Sequence, residues 1–522
     1  MSIHHLIKNA KNGNFEAAVQ VFLNYQDGLN GFEKDEELAD SSFKQAIKIL
    51  DSDFYLNELD IINYKKIQEF KIPFHKNLTV LLSENGIGKT SLLESIRKNL
   101  MWIAATTRKE NTTGGRIDDD EVNNISKKEG AYIDCEFQIG KIYRFKGRLA
   151  RPPEGVVSNL KSELTKYREL GKNLRSLNDI QDINLPLFSY YGIDRLQKGS
   201  TKNKSLKFGK IDGYDDSLNS KTSFDTFVEW LIQLLKISKN IETNIEKVKL
   251  QAQIDSLYAV GANNKDHPLY DVYDDLISVF KLYPDQDIHT QAKKSIENLE
   301  SLFKEIYSNL INIQLINEDD GKDKVAIQLE NERLFLHQFS DGQRVLFGLI
   351  GDIARRLILL NDASEKPFEG RGIVLIDEIE LHLHPSWQQK VILILRKSFP
   401  NIQFIVTTHS PHVITTVAAE CVRIIYIDKE TNKHKYSIPT FTKGAESNVV
   451  LEDVFDVDPR PQDVEEVKLL EEYTTLVNQD QWDSERAIEL RQKLDVWGRN
   501  KETELDRIDV EISLRKFKRL KK

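Results

Sequence analysis

The sequence predicts an α/β fold whose central sheet binds phosphate groups, and three observations support this prediction. An apolar strand ending at Leu82 leads into the glycine-rich segment Ser83–Thr90, and a helical pattern follows it. A second apolar strand, residues 373–376, ends in the adjacent carboxylates Asp377 and Glu378. Helical periodicity dominates both ends of the chain. We therefore expect a sheet-based core with helical extensions.

The composition of the 522 residues is that of a globular protein with two or three domains. Hydrophobic residues make up 40%, charged residues 30%, and the net charge is −9, from 73 Lys and Arg against 82 Asp and Glu. The two cysteines, Cys135 and Cys421, give no disulfide framework and suit a reducing compartment. Neither a signal peptide nor an apolar run of about 18 residues is found, so we expect a cytoplasmic protein without membrane spans.

Periodicity and charge divide the chain into five predicted segments. They are a helical cap (1–50), a first sheet-forming lobe (51–198), a helical insertion (199–315), a second sheet-forming lobe (316–445) and a charged helical region (446–522). The cap resembles one tetratricopeptide unit, and a single unit cannot bury its own apolar face, so it is expected to cover the next domain. The insertion begins with a polar, glycine-containing stretch at 199–222 that predicts an exposed loop.

Apolar alternation and turn residues place the strands within the two lobes. The predicted strands are 59–62, 72–74, 79–82, the hairpin 132–149 and 185–191 in the first lobe, and 325–329, 334–336, 373–376, 402–406 and the hairpin 422–438 in the second. An amphipathic helix is predicted after Gly342, and another begins at Pro385, where proline suits a first helical turn.

The segment after the strand at 79–82 has the pattern of a phosphate-binding loop. Its residues are Ser83, Glu84, Asn85, Gly86, Ile87, Gly88, Lys89 and Thr90, and Ser91 continues the helix. The backbone N–H groups of such a loop point at phosphates. Lys89 is expected to reach the β- and γ-phosphates of ATP, and the Thr90 hydroxyl to join the coordination of Mg²⁺. Ser83 replaces the first glycine of the motif, which requires a negative φ at this position.

Two acidic residues at the end of strand 373–376 complete the predicted site. Asp377 is expected to bind Mg²⁺, and Glu378 to polarise the water that attacks the γ-phosphate. The alternative is that Asp377 and Glu378 are simply the acidic first turn of a helix that follows a strand. The phosphate-binding loop in the same chain favours the ATP-binding interpretation.

Two further segments resemble parts of ABC-type ATPases. Residues Ser340, Asp341, Gly342 and Gln343 resemble the Ser-Gly-Gly-Gln signature, with Asp341 in place of its first glycine. That signature presents a helix N-terminus to a γ-phosphate bound by another protomer, and a simple N-cap at Ser340 is the alternative. His409 closes a strand at the position from which a histidine contacts the γ-phosphate in ABC-type sites. His382 and His384 could bind zinc, but we favour the interpretation that they belong to a loop at a protomer interface.

Four motifs in this order resemble the ATPase heads of the RecF/SMC/Rad50-like branch. More narrowly, the chain is similar to PtuA-type ATPases of antiphage systems, including those encoded beside retron reverse transcriptases, in IDEIELHLHPSWQQ, IVTTHSPHVI and AESNVVLEDVFDVDPRP. The resemblance covers about 55–200 and 325–460. It implies an ABC-type ATPase head with a P-loop sheet and β-hairpins, in which 51–198 carries Walker A and 316–445 carries the signature, Walker B and His switch.

The resemblance also implies partners. Such ATPases form a homodimer or higher oligomer through their heads and use ATP and Mg²⁺. They assemble with an HNH nuclease (PtuB), and in retron systems with a reverse transcriptase and its RNA-linked single-stranded DNA (msDNA). A RecF/SMC-like DNA-repair ATPase and a nucleotide-bound scaffold with little turnover remain alternatives. An OLD-type nuclease is disfavoured, because only 64 residues (522 − 458) follow the Asp456–Asp458 triplet.

Nucleic-acid contact and one magnesium ligand are harder to assign from the sequence. Basic residues cluster at the first hairpin (Lys141, Arg144, Lys146, Arg148, Arg151) and at the chain end (Arg515, Lys516, Lys518, Arg519, Lys521, Lys522). Such groups bind phosphates in nucleic-acid proteins, although they are more often solvated surface charges. A magnesium-binding glutamine is expected from ABC-type sites, and Gln138 is a candidate.

Overall fold

The structure is a computed structural model that describes residues 2–125, 129–153, 155, 159–196, 209–219, 224–239, 241–264, 267–280, 286–317, 323–499 and 501–520. Of the predicted loop at 199–222, only 209–219 are described, and Lys521 and Lys522 lie outside the described residues. The chain divides into two compact units, Met1–Gly444 and Ala445–Lys522.

The helices are distributed over both units. Their bounds are α1 Ile3–Lys11, α2 Phe15–Asp27, α3 Glu36–Leu50, α4 Lys89–Arg108, α5 Thr165–Ile180, α6 Phe224–Lys239, α7 Ile241–Ala259, α8 Tyr270–Phe280, α9 Gln286–Lys304, α10 Asp341–Leu360, α11 Pro385–Ser398, α12 Pro411–Ile414, α13 Ser447–Asp453, α14 Glu465–Asn478, α15 Glu485–Gly498 and α16 Thr503–Leu520.

The strands all lie in the first unit. They are β1 Phe54–Tyr64, β2 Ile67–Pro73, β3 Leu78–Leu82, β4 Ala131–Ile139, β5 Tyr143–Arg151, β6 Leu187–Tyr191, β7 Leu310–Asn317, β8 Asp323–Leu329, β9 Arg333–Phe335, β10 Gly372–Ile376, β11 Ile402–Thr407, β12 Val422–Ile427 and β13 His434–Ser437. They form three sheets, ordered β2-β1-β4-β5, β13-β12-β3-β11-β10-β6 and β7-β8-β9.

The six-stranded sheet forms the centre of the first unit. Its strands β12, β3, β11, β10 and β6 are parallel, and only β13 is antiparallel to its neighbour. Every residue of β3, β6, β10 and β11 is buried. Parallel strands covered on both faces are continuously apolar, which explains runs such as Ile373–Ile376. The predicted α/β fold is confirmed.

The buried side chain of Gln403 joins the four-stranded antiparallel sheet to the central sheet. Gln403 of β11 donates from Nε2 to the carbonyl oxygens of Leu56 (2.9 Å) and His75 (3.0 Å). Its Oε1 accepts the N–H of Leu56 at 2.8 Å. Because these groups are buried and mutually satisfied, Gln403 fixes the position of β1 against β11.

The predicted helical pattern up to residue 315 is wrong at its end. Helix α9 stops at Lys304, and Leu310 begins strand β7, which pairs antiparallel with β8. Leu310 continues the four-residue spacing of the helix, but the residues from 310 to 317 also alternate. The ladder with β8 satisfies their backbone groups and decides between the two patterns.

The second unit is a small helical assembly with its own core. Helices α14, α15 and α16 bury a common set of side chains, including Leu470, Tyr473, Leu490, Leu494 and Ile508. Within the described ranges of the whole chain, no helix is long and apolar enough to cross a membrane.

Candidate functional site

The predicted site residues follow the carboxyl ends of three neighbouring strands. The order β3-β11-β10 places the loop after Leu82, the segment after Thr407 and the acidic pair after Ile376 at one edge of the sheet. Ligands of open parallel sheets bind at this edge. The topology therefore joins segments that are about three hundred residues apart in the sequence.

The loop between β3 and α4 has the backbone of an anion cradle. Gly86 has a φ of +81° and Gly88 a φ of +117°, conformations that residues with a Cβ rarely adopt. Ser83 has no positive φ, as its place in the motif requires. Helix α4 begins after Gly88 without a side-chain cap, so no side chain competes for its first N–H groups. This donor set fits the phosphates of ATP.

Lys89 is the first residue of α4, directly after the loop, and is only 8% exposed. Its Nζ donates to the carbonyl oxygen and Oγ of Ser83, at 2.8 and 3.0 Å. Burial lowers the pKa of Lys89, while the nearby carboxylates Asp377, Glu378 and Glu380 oppose this effect. The ammonium group therefore lies within electrostatic range of the acidic pair that the sequence predicts.

Thr407 holds the acidic pair at the end of β10. Its Oγ1 donates to Oδ1 of Asp377 at 2.5 Å and accepts the N–H of Glu378 at 2.8 Å. The N–H of Asp377 donates to the carbonyl oxygen of Tyr191 on β6 at 2.8 Å. Glu378 has a φ of +46°, an unusual backbone conformation for a residue other than glycine. This turn leaves Asp377 buried and Glu378 partly exposed.

Glu380 binds the segment that carries His409. One oxygen of its carboxylate accepts the N–H of His409 at 2.5 Å, and the other accepts the Thr408 hydroxyl at 2.7 Å. Burial lowers the pKa of His409, and Lys89 lowers it further against the effect of the three carboxylates. A neutral imidazole therefore lies beside the loop at neutral pH.

The segment Ser340–Gln343 forms the start of α10. Ser340 and Gln343 make a capping box, in which the N–H of Ser340 donates to Oε1 of Gln343 at 3.0 Å. Ser340 and Asp341 are exposed. A Cβ on Gly342 would lie 2.8 Å from the carbonyl oxygen of His382, so the helix start packs closely on the turn that follows Glu380.

The structure thus brings Lys89, Asp377, Glu378 and His409 together, while the described contacts of Ser340 lie within its own helix start. Sequence reasoning missed Thr407 and Glu380. The threonine could have been found from its place at the end of a strand next to β10. Glu380 carried no comparable signal.

Structural contacts account for Gln138 and His384, two of the remaining candidates. The Oε1 of Gln138, the atom that would bind magnesium, accepts a hydrogen bond from Nε of Arg144 at 2.9 Å, and its Nε2 donates to the carbonyl oxygens of Gly140 and Lys141, so the structure does not support it as a magnesium ligand. His384 is the N-cap of α11, and His382 is exposed with a φ of +66°. Among the described residues, no group of three His, Cys, Asp or Glu side chains could hold a metal ion.

The basic residues of the β4–β5 hairpin are largely paired within the sheet. Asp134 binds Lys146 at 2.8 Å and accepts two hydrogen bonds from Arg148 at 2.6 and 2.7 Å. Arg144 donates to Gln138 at 2.9 Å, and Arg151 pairs with Asp119. At the chain end, Arg515 binds the carbonyl oxygens that end α14 and the carboxylate of Asp480.

Known proteins resemble the chain over most of its length. A protein-family profile described as "AAA ATPase domain" matches residues 55–414. The "Retron Ec83 probable ATPase" of Escherichia coli is 30% identical over 511 residues, covering 94% of this chain and 92% of that protein. The "Septu protein PtuA" of Bacillus thuringiensis is 24% identical over 451 residues, covering 84% and 93%. A solved Pyrococcus furiosus Smc head bound to ScpA aligns with a TM-score of 0.39 at 14% identity, covering 74% of this chain and 96% of that one.

Proposed function

Because the chain belongs to the AAA ATPase domain family, with retron and Septu ATPases as relatives, we propose that it is the ATP-driven switch of an antiphage complex. The sequence-based resemblance to PtuA-type and retron-associated ATPases is confirmed, and the chain is an ATPase of that kind. The retron and Septu relatives quoted above match nearly from end to end, which favours a defence function over a DNA-repair function.

The observation that supports the proposal most strongly is the cluster around Lys89. Its ammonium group, the carboxylates of Asp377 and Glu378 and the imidazole of His409 act on one another electrostatically at one edge of the sheet. A cation for phosphates, an acid for a metal and a second acid for water are the groups that phosphoryl transfer requires.

Each residue of the cluster has a proposed task. Lys89 leaves its contacts with Ser83 and binds the β- and γ-phosphates of ATP. Asp377, oriented by Thr407, and Thr90 would hold Mg²⁺, which would supply positive charge to offset that of the phosphates. Glu378 accepts a proton from the attacking water, and His409 contacts the γ-phosphate from the neighbouring strand.

The site needs a second copy of the chain to become complete. Ser340 and Asp341 are exposed at the N-terminus of α10, where partial positive charge from the backbone is available to an anion. We propose that these residues, with Gly342 and Gln343, contact the γ-phosphate bound by a partner protomer. Two ATP molecules would then hold two heads together, and hydrolysis would release them.

The closed dimer would control a partner enzyme. By analogy with PtuA-type systems, that partner is an HNH nuclease, and in a retron system a reverse transcriptase and msDNA join the complex. The ATPase holds the nuclease inactive or releases it according to the state of its heads. Co-expression of the chain with candidate HNH and reverse-transcriptase partners, followed by affinity purification, tests this assembly. Failure to recover a complex with either would contradict it.

The switch itself is tested by replacing Glu378 with glutamine. The E378Q chain is expected to bind ATP, hydrolyse it at least a hundredfold more slowly and accumulate as a dimer, because the general base is lost. Phosphate release and mass photometry measure the two effects. Adding Ser340→Arg to E378Q is the matched control, which should abolish the dimer but retain ATP. Hydrolysis by E378Q at the parent rate would rule out Glu378 as the base.

One alternative has a specific observation in its favour. Lys89 is already bound by the loop residue Ser83, and Ser83 and Asp341 depart from the motifs. These features suit a chain in which bound nucleotide serves as a scaffold with little turnover. Release of phosphate by the purified parent chain, or by its complex with partners, would exclude this alternative.

A further inference from the structure

A histidine far from the loop in sequence holds the loop backbone from outside. His434 lies on β13, at the edge of the central sheet, and is 8% exposed. Its Nε2 is 2.9 Å from the carbonyl oxygen of Ile87, a residue 347 positions away. Because a carbonyl oxygen only accepts, the imidazole must donate from Nε2 in this contact.

The surroundings of His434 favour one neutral tautomer. Its Nδ1 is buried and has no hydrogen-bond partner among the described residues, so a proton placed there would be unsatisfied. The ring also packs beside Phe70 of β2, with 6.0 Å between the ring centroids. Burial lowers the pKa of His434, and the hydrogen bond to the Ile87 carbonyl raises it by a smaller amount. The proton on Nε2 is therefore retained, and the contact with Ile87 persists.

The carbonyl that His434 holds belongs to a peptide that could otherwise rotate. Ile87 lies between Gly86 and Gly88, which have φ values of +81° and +117°. Glycine adopts such values readily because it has no Cβ, so the backbone on both sides of Ile87 is flexible. In a trans peptide the C=O of one residue and the N–H of the next point in opposite directions. Fixing the Ile87 carbonyl toward β13 therefore fixes the Gly88 N–H away from it.

We propose that His434 is a positioning residue, which keeps the Ile87–Gly88 peptide oriented so that the Gly88 N–H remains available to a nucleotide phosphate. A rotated peptide would instead present the Ile87 carbonyl oxygen to the phosphate, and two acceptors repel each other. The inference rests on the proposed nucleotide site. It adds a residue that is 347 positions away in the sequence to those that control nucleotide affinity.

The neighbouring carbonyl is held more weakly. Nζ of Lys66, in the turn between β1 and β2, lies 3.3 Å from the carbonyl oxygen of Gly86. That contact is exposed, and a flexible lysine in water adds little order. His434 is rigid and buried, so it is the stronger of the two external contacts.

Substitutions of His434 that distinguish the effect of its N–H donor from the effect of its ring test the proposal. His434→Phe keeps the ring but loses the donor, and we expect about tenfold weaker binding of a fluorescent ATP analogue, with little change in kcat. His434→Gln offers an amide N–H at a comparable distance and should restore affinity to within about twofold. Lys435→Gln, an exposed change on the same strand, is the matched control.

The measurements use the full chain with Mg²⁺, and thermal unfolding monitors its folding. If His434→Phe does not fold, His434→Met replaces it, since methionine fills space without donating. Equal affinity of parent and donor-free variant would overturn the inference, and so would weak binding by His434→Gln. Absence of binding by the parent would instead overturn the proposed site itself.

Discussion

Replacement of Asp352 by asparagine tests a buried charge cluster of the first unit. Asp352 lies in α10 and is 2% exposed, beside Arg355 (4%) and Arg356 (1%). Its carboxylate accepts from both guanidinium groups at 2.7–2.9 Å and from the hydroxyl of Tyr191 at 3.0 Å. The cluster therefore connects the helix that begins at Ser340 with strand β6.

The expected magnitude follows from these contacts. Burial alone would raise the pKa of Asp352, but the two arginines lower it from 3.8 to about 2. At about 1.4 kcal/mol per pKa unit, this favours the charged carboxylate by about 2 kcal/mol. Asparagine also leaves two buried guanidinium groups without a counter-charge, so we expect Asp352→Asn to destabilise the unit by about 3–5 kcal/mol.

The pH dependence has a defined sign. A carboxyl whose pKa is lowered by folding stabilises the protein above its unfolded pKa, and this contribution is lost as the pH falls through the folded pKa. The parent should therefore lose about 2 kcal/mol between about pH 4 and pH 2, and the variant should not lose it. Urea unfolding followed by tryptophan fluorescence measures both chains.

The matched control is Asp40→Asn, which removes an exposed ion pair with Lys44 on α3. Exposed pairs contribute little, so its urea midpoint should stay close to that of the parent. A midpoint for Asp352→Asn that equals the control would refute the reasoning, since it would mean that the buried arginines do not depend on this carboxylate.

Two further variants test contacts at the edge of the sheet and between the sheets. Glu380→Gln should lower kcat about tenfold or more with little change in ATP affinity, since a neutral amide binds the His409 N–H less strongly than a carboxylate does. Phosphate-release kinetics measure this effect, and an unchanged kcat would contradict it. Gln403→Leu removes the partners of the buried Leu56 backbone groups, so the free energy of unfolding should fall by about 2–4 kcal/mol. An unchanged thermal midpoint in calorimetry would show that the position of β1 does not depend on Gln403.

The sequence was sufficient to predict an element of the fold where a local pattern of residues is compatible with a single structure. The strand before Ser83, the glycines after it and the helical spacing from Ser91 predict a strand, a loop and a helix in that order, and the structure has them at β3 and α4. The strand ending at Asp377 was equally clear, because a run buried on both faces is apolar throughout.

The contacts of Glu380 could not be predicted, because they depend on the path of the chain after β10. The positive φ of Glu378 turns the backbone so that Glu380 reaches Thr408 and His409 on the neighbouring strand end. No spacing in the sequence encodes that turn. His434 was missed for a similar reason, since its partner Ile87 is met only after the sheet is assembled.

The pairing of the hairpin charges, in contrast, had a usable signal. A three-residue turn at 140–142 places residue 134 opposite residue 148, and the structure pairs Asp134 with Arg148 in this register. Facing residues of opposite charge stabilise a sheet, so Lys146 and Arg148 are better explained by Asp134 than by nucleic acid.

The charge balance of the site gives a physical reason to expect the dimer. Three carboxylates, Asp377, Glu378 and Glu380, act on Lys89 and His409, and the positive charge near them is that of Lys89 and, on the exposed side of the loop, of Lys66. ATP would bring further negative charge to the same edge of the sheet, and Mg²⁺ offsets only part of it. The exposed N-terminus of α10 can supply additional positive potential from a second copy. Closure of two heads should therefore depend on Mg²⁺ and on ATP together, and a dimer that forms equally well with ATP and EDTA would contradict this balance.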